Sequence, residues 1–151
     1  MKKILFALLF SAAVLLMHSA SAQEYKTAAG IRLGPSSPAI TSGFTVRHFL
    51  DESHAIEGIL GINDGIGFCG IYQWHHPVET VPHLTWFLGA GGYAAFRNDE
   101  AFIGGAGMVG LDYKFEQIPL NLSIDWKPEL NLIESVGFEA AGVGFSARFT
   151  F

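Results

Sequence analysis

Between Leu120 and Lys127 the chain alternates without a fault. Leu120, Leu122, Ile124 and Trp126 are apolar, and Asn121, Ser123, Asp125 and Lys127 between them are polar. A period of two puts successive side chains on opposite faces, as a β-strand does; a helix would mix the two sets. The C-terminal stretch repeats the pattern. Ala141, Val143, Phe145, Ala147, Phe149 and Phe151 face one way, and Gly142, Gly144, Ser146, Arg148 and Thr150 the other. Ile56, Gly58, Leu60 and Ile62 oppose Ala55, Glu57, Ile59 and Gly61, and Phe44 and Val46 oppose Thr45 and Arg47.

Glycine and proline extend this reading to the rest of the chain. All 18 glycines lie beyond residue 22, scattered through apolar stretches. Each disfavours helix by about 1 kcal/mol, and in strands glycine marks bends and curvature. Pro35, Pro38, Pro77, Pro82, Pro119 and Pro128 fall in or beside turn-like segments, as residues without an N–H must. Eight strands are expected, near 26–34, 39–50, 55–63, 66–75, 84–97, 102–115, 120–128 and 138–151. The fifth and sixth are less regular, because Phe87, Tyr93 and Met108 fall on the face that is polar elsewhere.

Residues 1–22 read as a secretory signal: Lys2 and Lys3, an apolar run from Ile4 to Met17, and the small residues Ala20-Ser21-Ala22. Cleavage there leaves 129 of the 151 residues, one domain over 23–151. Loss of the two lysines takes the formal charge from −5 to −7. That charge argues against nucleic acid, which needs a basic footprint. Cys69 is the single cysteine, so no internal disulfide is expected. Past residue 22 no apolar run reaches the ~18–20 residues of a membrane helix. The other structure able to span a bilayer is a closed β-barrel.

Alternation alone does not say which face is inside. A soluble barrel buries its apolar face and a membrane barrel its polar one. Here the polar faces mix charge with small residues, such as Gly142, Gly144 and Ser146 with Arg148, which suits a crowded eight-stranded interior. A lumenal polar network is therefore expected from Arg32, Arg47, Glu57, Gln73, Asp112, Lys114, Asp125, Lys127 and Arg148. Phe44, Val46, Ile56, Leu60, Leu122, Ile124, Val143 and Phe145 are expected to face lipid. Trp74, Trp86, Tyr72, Tyr113, Phe115, Phe149 and Phe151 gather at one set of strand ends, and Phe68, Phe96, Phe102, Trp126 and Phe138 at the other. Two such belts fit two membrane interfaces.

The ending Ala147-Arg148-Phe149-Thr150-Phe151 resembles the signal read by the bacterial barrel-assembly machinery, with Phe149 and Phe151 as its aromatics. The segments Phe115–Pro128, Ala55–Gly61 and Leu84–Gly92 resemble small porin-like outer-membrane β-barrel proteins of Bacteroidetes-type bacteria. The resemblance covers most of 26–151. It implies an eight-stranded antiparallel up-and-down transmembrane barrel in the outer membrane, in contact with its lipid and inserted by that machinery. It brings no catalytic residues.

No catalytic, cofactor or metal site is expected. His48, His54, His75, His76 and His83 fall at one rim, and they read as interfacial turn residues without metal-ligand spacing. Ser123 and Ser146 lack a histidine in their strands to act as base. Acidic residues Asp64, Asp99, Glu100, Glu129, Glu134 and Glu139 mark the opposite rim. The leading expectation is a monomeric, non-catalytic surface or structural component with a plugged lumen. A small diffusion pore, a secreted lipocalin-like binding barrel and a lipid A-modifying enzyme stay open.

Overall fold

The computed structural model describes residues 25–34, 40, 42–62, 65–133 and 136–151. The expected signal at 1–22 lies outside the described residues. The described chain is all-β. Its strands are β1 (Thr27–Leu33), β2 (Gly43–Phe49), β3 (His54–Gly61), β4 (Ile66–Pro77), β5 (Leu84–Arg97), β6 (Glu100–Lys114), β7 (Leu120–Trp126), β8 (Glu129–Asn131), β9 (Gly137–Glu139) and β10 (Val143–Thr150). All pairings are antiparallel: β1 to β7 pair in sequence order, β8 pairs with β6 and β9, and β10 pairs with β7 and closes the ring on β1. An open sheet would leave a row of unpaired N–H and C=O groups at each edge, and closure removes both.

Ten strands make eight lanes. β7 and β8 share one lane and keep one register against β6, as Val109↔Trp126 and Gly104↔Asn131 show. Pro128 interrupts the ladder without ending it: Gly107 N still donates to Pro128 O at 3.0 Å. β9 and β10 share the last lane, where the pairing slips by one residue between Glu129↔Glu139 and Val143↔Trp126. The slip is a bulge around 140–142. The loop expected over 129–137 is thus largely a hairpin.

The registers also fix the tilt. From Phe149, one row runs through Ala29, Val46, Gly58, Gly70, Gly92 and Gly105 to Leu130. On its other side Phe149 faces Leu120. One circuit therefore arrives ten residues along the same lane. That stagger in an eight-lane barrel tilts the strands by about 40° and leaves room inside for side chains alone.

Two turns show how local chemistry sets the hairpins. β5 and β6 join through Asn98 and Asp99 at φ 49° and 66°, the left-handed conformation that a two-residue hairpin needs and that these two residue types tolerate. At the other rim His83 (φ 63°) ends the 78–83 turn.

One lobe of the interior is apolar. Ile59, Cys69, Ile71, Tyr93, Ala106 and Met108 pack there, with Ile40 reaching in from between β1 and β2. Gly61 and Gly67 leave the space it occupies. A Cβ on Gly67 would lie 2.8 Å from Ile40 Cγ1 and 2.9 Å from Ala95 Cβ. Gly67→Leu is expected to lower stability by about 1–3 kcal/mol through overpacking, read as a lower denaturant midpoint. Gly58→Ala is the control, because its Cβ would meet only Phe68, at an ordinary 3.5 Å.

Candidate functional site: the charged interior

Alternation carries one face of every lane inward, and that face holds the charge. Arg32 on β1, Arg47 on β2, Glu57 on β3, Gln73 on β4, Asp112 on β6, Asp125 on β7, Lys127 just past the end of β7, and Arg148 on β10 are all buried. Buried charges persist only when paired and hydrogen-bonded, and these are. Glu57 is the hub. Its Oε1 accepts from Arg148 Nη2 at 2.5 Å and Thr45 Oγ1 at 2.5 Å. Its Oε2 accepts from Arg47 Nη2 at 2.9 Å and Gln73 Nε2 at 2.6 Å.

Arg47 Nη1 donates to Asp112 Oδ1 at 2.5 Å. β2 and β6 are four lanes apart, so this pair spans the barrel from wall to wall. Asn121 Nδ2 donates to the other Asp112 oxygen at 2.6 Å. Arg148 Nη1 donates to Ser123 Oγ at 2.7 Å. Nearer the opposite rim Arg32 Nη2 donates to Asp125 Oδ1 at 2.5 Å. The Arg32 guanidinium lies over Gly144, where a Cβ would overlap Nη2. A larger residue there would displace the pair.

Lys127 pairs with Glu129. Glu129 is buried, not part of the acidic rim where the sequence placed it. Lys114 departs the other way. It is half-buried at the mouth, and its amine donates to the carbonyls of Phe115 and Ile118 rather than joining the network. With that exchange, four cations (Arg32, Arg47, Lys127, Arg148) face four anions (Glu57, Asp112, Asp125, Glu129). The interior is charge-balanced, where the sequence alone suggested an excess of two positive charges.

His75 was expected among interfacial turn residues, but it is fully buried inside. Its ring stacks on Phe87 at 5.0 Å and meets Phe49 edge-on at 4.8 Å. Its Nε2 donates to Gln73 Oε1 at 3.0 Å. Tyr25 adds to this aromatic stopper, 5.3 Å from Phe49. Arg47 lies 4.9 Å above the Phe87 ring, a cation–π contact. Together with the apolar lobe, these buried side chains crowd the interior among the described residues.

The outer wall is the reverse. Phe44, Val46, Ile56, Leu60, Ile124, Val143 and Phe145 all stand exposed, Phe44 at 56%. Leu122 is half-buried on the same face. Phe149 and Phe151 are exposed at the rim where the chain ends. Phe102, expected in an aromatic belt, instead leans against the inner apolar lobe. Among the described residues no cluster of histidine, cysteine and carboxylate side chains could hold a metal ion. Ser123 is engaged by Arg148, and Ser146 Oγ is buried without a hydrogen-bond partner.

Of the rim histidines, His54 is tied into a turn. Asp51 accepts from the backbone N–H of Ser53 and of His54, each at 2.8 Å, and sits 2.7 Å from His54 Nδ1. The Ser53 N–H, then the His54 side chain, draw the Asp51 carboxyl down from 3.8 to about 2. A depressed carboxyl stabilises the fold above its unfolded value and ceases to as pH falls through its folded one. The stability gap between wild type and Asp51→Asn should therefore be present at pH 5 and close as the pH falls to about 2. Denaturant titrations at a series of pH values check this.

Compared with known proteins, the chain matches no family model, no curated protein and no solved structure.

Proposed function

We propose that this chain is an integral β-barrel of the bacterial outer membrane, a non-catalytic structural or surface component whose lumen is plugged by its own side chains. One observation carries the reading: the barrel is polar inside and apolar outside. Five buried ion pairs sit within the wall, and Ile31, Phe44, Ile56, Phe68, Leu88 and Phe145 project from it. A protein dissolved in water has the opposite arrangement. Contiguous exposed apolar surface on this scale needs an apolar surrounding, and a barrel with its polar face inward is the form that lipid permits.

The remaining features agree with this reading. The leader-like start at 1–22 supplies export, the Phe149–Phe151 ending suits the assembly machinery, and the three internal segments resemble small Bacteroidetes-type barrels. The packed interior argues against the pore and against a lipocalin-like cavity. Ser123 and Ser146 without a neighbouring histidine argue against hydrolase chemistry. Cell fractionation with heat-modifiable gel mobility tests the proposal. The chain should sediment with outer membranes and migrate faster unboiled; recovery in the soluble periplasm would overturn it. In planar bilayers the purified barrel should give no stable conductance steps.

A further inference from the structure

The outer wall is not uniformly covered. On β3 and β4, Gly58 and Gly70 face each other in register and outward, between exposed neighbours Ile56, Leu60, Phe68 and Tyr72. The missing side chains leave an apolar groove of about 440 Å³, walled by Val46, Ile56, Phe68 and Tyr72. Phe68 leans along one side, its ring 3.5 Å and 3.7 Å from where the Cβ atoms of Gly58 and Gly70 would be. The other end of the groove is different in kind. His48 and Tyr72 close it, on the side of the barrel where Lys26 and Phe151 meet. Tyr72 stacks edge-on with Trp74 at 5.0 Å and lies 5.9 Å from His54.

We infer that this groove holds one acyl chain of a phospholipid, with the headgroup phosphate at His48. The inference rests on the membrane reading above. Within a bilayer an apolar groove has no polar partners to hold water, and it is continuous with the lipid-facing wall. Its polar end lies at the rim where Tyr72, Trp74, Trp86 and His54 gather, the headgroup level for amphipathic rings. His48 Nδ1 is engaged by Thr27 Oγ1 at 2.8 Å, which leaves Nε2 for a phosphate oxygen. The groove and the imidazole thus match the two halves of one molecule.

The test uses the full mature chain inserted into vesicles of a single phosphatidylglycerol, then released into detergent for native mass spectrometry. Leucine at Gly58 or Gly70 should fill the groove; a Cβ at either site meets only Phe68, at ordinary contact distance. Gly105→Leu, an outward glycine of the same row but outside the groove, is the control. Wild type and Gly105→Leu should retain one phospholipid. Gly58→Leu and Gly70→Leu should lose it at least ten-fold while keeping heat-modifiable mobility. Equal retention by all four proteins, or none by wild type, overturns the inference. A dimer mass without lipid overturns it too, assigning the groove to a second copy. Failure to insert at all shows earlier, as loss of the heat-modifiable band, and removes the membrane reading with it.

Discussion

Glu57→Gln should destabilise the barrel by about 3–5 kcal/mol, the usual cost of removing one partner from a buried ion pair. Glu57 accepts from two guanidinium groups at once, Arg47 and Arg148, as well as from Thr45 and Gln73. The amide keeps the shape but not the charge, and it presents an NH₂ to one of the arginines. The interior then carries four cations against three anions, all of them buried away from bulk solvent. Urea unfolding in detergent micelles measures the loss. Glu79→Gln, in the exposed 78–83 turn, should stay within about 0.5 kcal/mol of wild type. If Glu57→Gln is equally mild, the network does not hold the fold.

Ile124→Arg should cost about 2–4 kcal/mol when the barrel is refolded into lipid vesicles, the range for a cation on the lipid face near the bilayer centre. Ile124 is 51% exposed on the outer wall of β7. The sign is what discriminates. On a barrel surrounded by water the same change would be near neutral, because an arginine would replace an exposed isoleucine. Ser123→Arg is the companion. Ser123 points inward and already accepts from Arg148, so a second guanidinium there should impair folding in lipid and in detergent alike. If Ile124→Arg refolds in lipid as well as wild type, the outer wall does not face lipid.

Alternation made most of the barrel legible. Eight of the nine residues expected in the polar network are buried inside it, because a period of two assigns a face wherever a strand runs unbroken. The departures occur where strands break or end. Lys114 lies on the inward face, but at the last residue of β6, where the lumen opens and its amine can reach turn carbonyls instead. Glu129 follows Pro128, which in sequence looks like a terminator; in space the lane continues in the same register. His75 carried a usable signal, since Cys69, Ile71 and Gln73 precede it at alternate positions and all point inward. Its place beside His76 and Pro77 at the end of β4 obscured that. The pairing of Arg47 with Asp112 was not legible at all. It depends on which lanes face each other across a closed ring, and that follows from strand count and stagger rather than from any local pattern.

The β1–β10 seam has a consequence for how the chain reaches this state. The contacts around it join distant residues: Arg148 and Thr45 are 103 positions apart, and Arg32 and Gly142 are 110. The other lanes are mostly hairpins that can zip from their turns. The seam closes only after the whole chain has been ordered, so loop entropy must be overcome before its bonds stabilise anything. Seam closure should therefore be the slow step of folding. Until it happens, β1 and β10 are both open edges, able to pair with another chain. The slowest moment in folding is thus also the one most exposed to aggregation.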